Sequence, residues 1–199
     1  MLKILAIVLA LNSYGTPPGE LEVFAIAIEK VGPVERAFLL GLAWSETDFR
    51  THCVSHAGAA SIMQLMPSTE YTREQIEDDP GIAVHFARIE LAKWLSKCGK
   101  KWQIAAWNRG HPRCCSGWYI KKRKHTKPEG YFECEERHRG FQRKVEGRIG
   151  RMAKWLDADL EIIECTDEAG KVWPVAMLPG RVAKSLENAG RAGLVCQEK

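Results

Sequence analysis

Residues 34–67 read VERAFLLGLAWSETDFRTHCVSHAGAASIMQLMP. Val34 to Glu46 predicts a helix that is apolar on most sides, through Ala37, Phe38, Leu39, Leu40, Leu42, Ala43 and Trp44. A helix of that kind is buried in the middle of a domain. Glu46 falls on the same face as Leu39, Leu42 and Ala43, since residues three, four and seven apart share a helical face. Desolvation and the negative end of the helix dipole both raise the pKa of a carboxyl group in such a place. A carboxylic acid that keeps its proton near neutral pH is what cleavage of a glycosidic bond requires. Alone, Glu46 reads first as an exposed helix-terminal glutamate; its neighbours reverse that reading. His56 to Ser61 is almost entirely Gly, Ala and Ser, a stretch whose backbone a sugar ring can approach closely.

On the N-terminal side, Glu20 to Val31 predicts a helix with Leu21, Phe24, Ala25 and Ile28 on one face, ended by Gly32-Pro33. On the C-terminal side, Ser68 or Thr69 is placed to cap a further helix. Pro80 opens a long helix over about 82–97, Gly99 terminates it, and Lys101 to Asn108 forms a shorter one. Glu135 to Leu156 is amphipathic through Phe141, Val145, Ile149, Met152 and Trp155. Beyond Asp157 the pattern changes. Leu160 to Cys165 and Val172 to Met177 are β-prone runs around Asp167-Glu168-Ala169-Gly170, which predicts a hairpin, and a short helix follows near Val182 to Asn188. The fold class is all-α, or α+β at most.

Trp44 to Pro67 resembles the signature of the lytic transglycosylases that share the goose-type lysozyme fold. The Glu-Ser start of that signature is matched by Glu46-Thr47, with the aromatic Phe49 nearby; its serine nine residues on is matched by Ser55. Its Gly-Ala pair is Gly58-Ala59, and its Gly-Leu-Met-Gln, aliphatic, Met-Pro run is Ser61-Ile62-Met63-Gln64-Leu65-Met66-Pro67. A third element, Ala-Tyr-Asn-x-Gly, stands here as Ala106-Trp107-Asn108-Arg109-Gly110. Thr47 replaces serine, Ser61 replaces glycine and Trp107 replaces tyrosine. The resemblance covers roughly 20–156, more weakly in its last third. It implies a lysozyme-like helical domain that cuts peptidoglycan with Glu46 as the one catalytic carboxylate and no cofactor. Ser55, Gly58, Ser61, Met63, Gln64, Trp107 and Asn108 become candidate substrate-binding residues. Ser55 and Gln64 carry polar groups able to orient Glu46 or an N-acetyl group. Trp107 is an aromatic platform for a sugar face, and Asn108 both donates and accepts. Met63 and Met66 read primarily as core filling. A muramidase that uses water, or a glycan-binding protein without catalysis, are the alternatives on the same fold.

The totals agree with a soluble globular protein: 199 residues, 45% hydrophobic, 27% charged, and no apolar run of membrane-spanning length. The net charge of +4 hides an asymmetry, because 109–154 carries 14 Lys and Arg against 5 Glu, which leaves −5 for the remainder. A basic region of this kind suits an anionic envelope polymer as partner, or is a solvated face. Lys121 to Lys127, flanked by Trp118, Tyr119 and Tyr131, resembles a nucleic-acid patch in charge alone, and no nucleic acid is expected. Seven cysteines (53, 98, 114, 115, 134, 165 and 196) cannot all pair internally, but their density fits an oxidising compartment. Disulfides within 110–134 are expected, and their pairing is not legible. Cys114, Cys115 and Cys134 with His111, His125 or His138 match no zinc spacing, so no metal is expected. Met1 to Gly15 has a basic start, the apolar run Ile4 to Leu11 and small residues at Ser13 and Gly15. It predicts an export signal, with a first core helix as the alternative. The expected organisation is 1–19 signal-like segment and linker, 20–156 lysozyme-like domain, and 157–199 C-terminal extension.

Overall fold

The computed structural model describes residues 2–109 and 130–196. The expectations for Cys114, Cys115, His111, His125 and the basic run 121–127, and for the side chains of Cys134 and His138, lie outside what it describes. The chain is mostly helical with a small C-terminal sheet, a lysozyme-like helical fold with a β extension. In order the elements are α1 (Leu2–Leu11), α2 (Pro18–Glu29), α3 (Pro33–Thr47), α4 (Arg73–Asp78), α5 (Pro80–Arg109), α6 (Gly130–Asp157), β1 (Ile162–Thr166), β2 (Val172–Ala176), α7 (Val182–Arg191) and β3 (Val195–Cys196). Two compact units are present: Met1–His85 with Arg148–Lys199, and Phe86–Gly147.

In the first unit, α2 and α3 each begin with proline at the first helical position, where the missing N–H costs nothing. Arg36 bridges their junction by donating to the carbonyls of Glu29 and Val31 at 2.6 and 2.9 Å. Leu21, Phe24, Ala25 and Ile28 of α2 and Leu39, Leu40, Leu42 and Ala43 of α3 are fully buried. Gly41 is where α3 meets α6: a Cβ there would lie 2.7 Å from both the Cγ1 and the backbone N of Ile149. The cap of α4 is Thr72, not Ser68 or Thr69. Its hydroxyl accepts from Gln75 N–H while the Gln75 side chain accepts from Thr72 N–H, a reciprocal capping box that satisfies two orphan donors.

The hairpin stands where the pattern predicts, with β1 antiparallel to β2 in the register Cys165↔Trp173. β3 adds antiparallel to β1 on the other side, giving the order β2-β1-β3. A disulfide joins Cys165 of β1 to Cys196 of β3, 31 residues on. Closing a loop of that length is worth about 3–4 kcal/mol of chain entropy.

Helix α1 lies against β2, α7 and α2. Ile4 to Leu11 are all 2% exposed or less. Lys3 donates to the Leu156 and Ala158 carbonyls at 2.6 and 2.5 Å, and Asn188 of α7 donates to the Ala10 carbonyl at 2.9 Å. Asn12 closes the following turn through Thr16, whose hydroxyl donates to the Phe49 carbonyl. Gly15 takes φ +76°, and a Cβ there would sit 2.3 Å from the Arg191 carbonyl oxygen. In this structure the segment read as signal-like has the environment of the alternative, a core helix. Among the described residues no helix is long and apolar enough to cross a membrane.

In the second unit, Gly99 interrupts α5 with φ 66° and ψ 166°, so the predicted stop and restart are both present. Leu91, Trp94, Ile104, Ala106 and Trp107 are buried here. The Gln103 side chain donates across the break to the Leu91 carbonyl at 2.8 Å.

Candidate active site

Glu46 occupies the last turn of α3 and is half-buried, above the fully buried Leu39, Leu42 and Ala43. The helix ends abruptly because Asp48 and Phe49 both adopt left-handed conformations, with φ 50° and 67°. Thr47 ties this end to the following loop: its hydroxyl lies 3.3 Å from the Ala43 carbonyl and 3.1 Å from that of Ile62. Phe49 is fully buried against Phe24, ring centroids 6.1 Å apart.

The loop from Ser55 to Leu65 holds its shape through its own polar groups. Ser55 N–H donates to the Ala59 carbonyl, and the Ser55 hydroxyl accepts from Ala59 N–H at 3.0 Å. Ala60 and Leu65 form a two-way antiparallel bridge. Between them the chain reverses through Ser61 and Gln64, at φ 72° and 50°. The Gln64 amide donates to the Cys53 and Ser61 carbonyls at 2.7 and 3.1 Å. Ser55 and Gln64 therefore act on the loop itself. Gly58, at φ +88°, has open space where a Cβ would be, so the backbone there is accessible. Ser61 and Met63 are buried, with Met63 in the core, whereas Met66 is half-exposed rather than core filling. Trp107 and Asn108 belong to the second unit, where Trp107 is buried and Asn108 exposed at the end of α5.

Two further acids, Asp48 and Asp79, are already engaged. Asp48 pairs with Arg148 at 3.1 Å, and Asp79 accepts from the N–H groups of Gly81 and Ile82 at the start of α5. Among the described residues no group of three His, Cys, Asp or Glu could hold a metal ion. Backbone in the left-handed region costs a non-glycine residue about 1–2 kcal/mol, and four such residues stand between 48 and 64. Strain concentrated like this marks functional sites. Ser61 stands where the family signature has glycine, and its left-handed backbone, φ 72°, is the physical cause of that usage.

Glu46 thus ends α3 just ahead of a braced loop in a helical, lysozyme-like fold. The family described as Transglycosylase SLT domain matches residues 24–129, more than half of the chain. The chain belongs to this family: it is a peptidoglycan lytic transglycosylase, a lyase that breaks glycosidic bonds. No curated protein and no solved structure matches it.

Proposed function

We propose that the enzyme cleaves the β-1,4 bond between N-acetylmuramic acid and N-acetylglucosamine without water, with Glu46 as both acid and base. Glu46 first gives its proton to the bridging oxygen, and the bond from that oxygen to the muramyl C1 breaks. The resulting carboxylate then takes the proton of the muramyl 6-hydroxyl, whose oxygen bonds to C1 and closes a 1,6-anhydro ring. The acid returns to its starting state and no second carboxylate takes part.

The observation that supports this reading is that Asp48 and Asp79, two acids on which a hydrolytic scheme could draw, are already engaged. Hydrolysis with inversion or retention needs a partner carboxylate about 5–9.5 Å away. Asp48 is held by Arg148 and Asp79 by the first turn of α5. Gly58 supports the same reading, since its open backbone suits a sugar ring held close to the loop. The site of action is the cell envelope, where this polymer lies.

Mass spectrometry of digested peptidoglycan tests the proposal. Anhydro-muramyl ends are expected; reducing ends would establish the water-using muramidase instead. Glu46→Gln is expected to abolish cleavage with the fold intact. A wild-type protein that binds glycan and never cuts it would leave only the binding role.

A further inference from the structure

Trp44 stands two residues before Glu46, so it projects about 200° around α3, away from the face that Glu46 shares with Leu42 and Ala43. Three arginines from two other segments converge on its ring. The guanidinium carbons of Arg148, Arg151 and Arg181 lie 4.3, 5.1 and 5.4 Å from the indole centroid. Trp155 braces the indole from within, centroids 5.8 Å apart.

Arg148 is the anchored member. It donates to the Trp44 carbonyl and to Asp48, and its side chain is 16% exposed. Arg151 is exposed and Arg181 half-buried. Neither makes an ion pair among the described residues. Three positive charges thus share one carboxylate. The Arg148 guanidinium feels this: burial lowers its pKa first, Asp48 raises it, and Arg151 and then Arg181 press it down again. Like charges gathered on one ring without counter-ions are costly unless an anion completes them, and guanidinium is the group that pairs best with a planar oxyanion.

We propose that Arg148, Arg151 and Arg181 over Trp44 form a binding site for a carboxylate of the peptide stems that hang from the glycan strand. The inference rests on peptidoglycan being the substrate. Charge complementarity commits the site to this occupant: the stems end in free carboxylates, and a guanidinium pairs a carboxylate through two parallel hydrogen bonds. The site anchors the strand and takes no part in the chemistry.

The test is equilibrium binding of the full-length Glu46→Gln protein to purified peptidoglycan strands, native or with their carboxylates amidated. Native strands are expected to bind about tenfold more tightly, the yield of two partly exposed charge pairs. Adding Arg151→Gln and Arg181→Gln should remove that advantage, and Arg151→Lys with Arg181→Lys should keep part of it. Circular dichroism melts check that each variant folds. Equal binding of native and amidated strands, or full binding by the double Gln variant, overturns the inference and leaves the proposed cleavage standing. Arginine-dependent binding to phosphatidylglycerol vesicles, with no preference among strands, overturns it in favour of a phosphate partner. Failure to bind any strand, together with a wild-type protein that releases no fragments, removes the substrate reading and this inference with it.

Discussion

Removing residues 1–15 is the most demanding perturbation this fold offers. Ile4, Leu5, Ile7, Val8, Leu9 and Leu11 are each 2% exposed or less. Burying a side chain of this size is worth about 1.5–3 kcal/mol, so the six together contribute about 9–18 kcal/mol before chain entropy is counted. A whole domain is stable by only about 5–15 kcal/mol. The loss also strips partners from Leu156, Ala158, Thr16 and Asn188 and uncovers the faces of β2 and α7 that α1 packs against. The shortened chain is therefore expected to lose the cooperative unfolding of its C-terminal extension. The assay is urea denaturation followed by Trp173 fluorescence, with near-ultraviolet circular dichroism as a second probe. Gly15→Ala is the milder companion, since its Cβ would meet the Arg191 carbonyl oxygen and its φ is positive; it should lower stability by about 2 kcal/mol or more. A chain beginning at Thr16 with an unchanged midpoint and spectrum would refute the reasoning and restore the reading of this segment as a removable signal.

Three further outcomes are expected. Gly41→Ala drives a methyl into Ile149 and should cost about 1–3 kcal/mol, read as a fall in Tm; an unchanged Tm would mean that α3 and α6 have room to spare. Ser61→Gly relieves left-handed strain but gives up the hydroxyl that accepts from Met63 N–H at 3.3 Å, so a net gain of about 0.5–1 kcal/mol is expected; a measured loss would place the hydroxyl above the strain. The Asp167 carboxyl lies below its ordinary range, chiefly because it accepts from the Trp173 indole N–H at 2.8 Å and from Lys171 N–H. A lowered pKa contributes stability at pH above the unfolded value and loses it as pH falls through the folded one. Trp173 fluorescence should accordingly hold steady down through the usual aspartate range and change only below it, and Asp167→Asn should abolish that transition.

Much of the architecture was legible because it rests on local signals. Pro33, Pro80, Gly99 and the Asp167 to Gly170 turn set boundaries through backbone chemistry alone, and each falls where the pattern puts it. Glu46 was legible because its apolar companions repeat at helical spacing and its loop carries a recognisable order of small residues. What the sequence hid depends on contacts between distant segments. An apolar run with a lysine before it looks the same whether a membrane, a peptidase or a C-terminal sheet receives it, so only the partners of Ile4 to Leu11 distinguish the cases. The pairing of Cys165 with Cys196 needed β3, a strand of two residues, too short to show any alternation. The three arginines around Trp44 come from positions 148, 151 and 181, and no spacing rule connects them. Ser55 and Gln64 carried the right chemistry for substrate, but the Ser55 hydroxyl and the Gln64 amide N–H groups bond to the loop backbone.

The bond from Asn188 to the Ala10 carbonyl joins residues 178 apart, so α1 leaves the ribosome long before the helix that completes its packing. At about 5–20 residues per second that delay is about 9–36 s. Throughout it, only α2 is at hand, and the parts of six bulky aliphatic side chains that β2 and α7 will cover stand open. Whatever factor shields them in that interval governs the yield of native enzyme, and a synthesis rate raised by codon choice shortens the exposure in direct proportion.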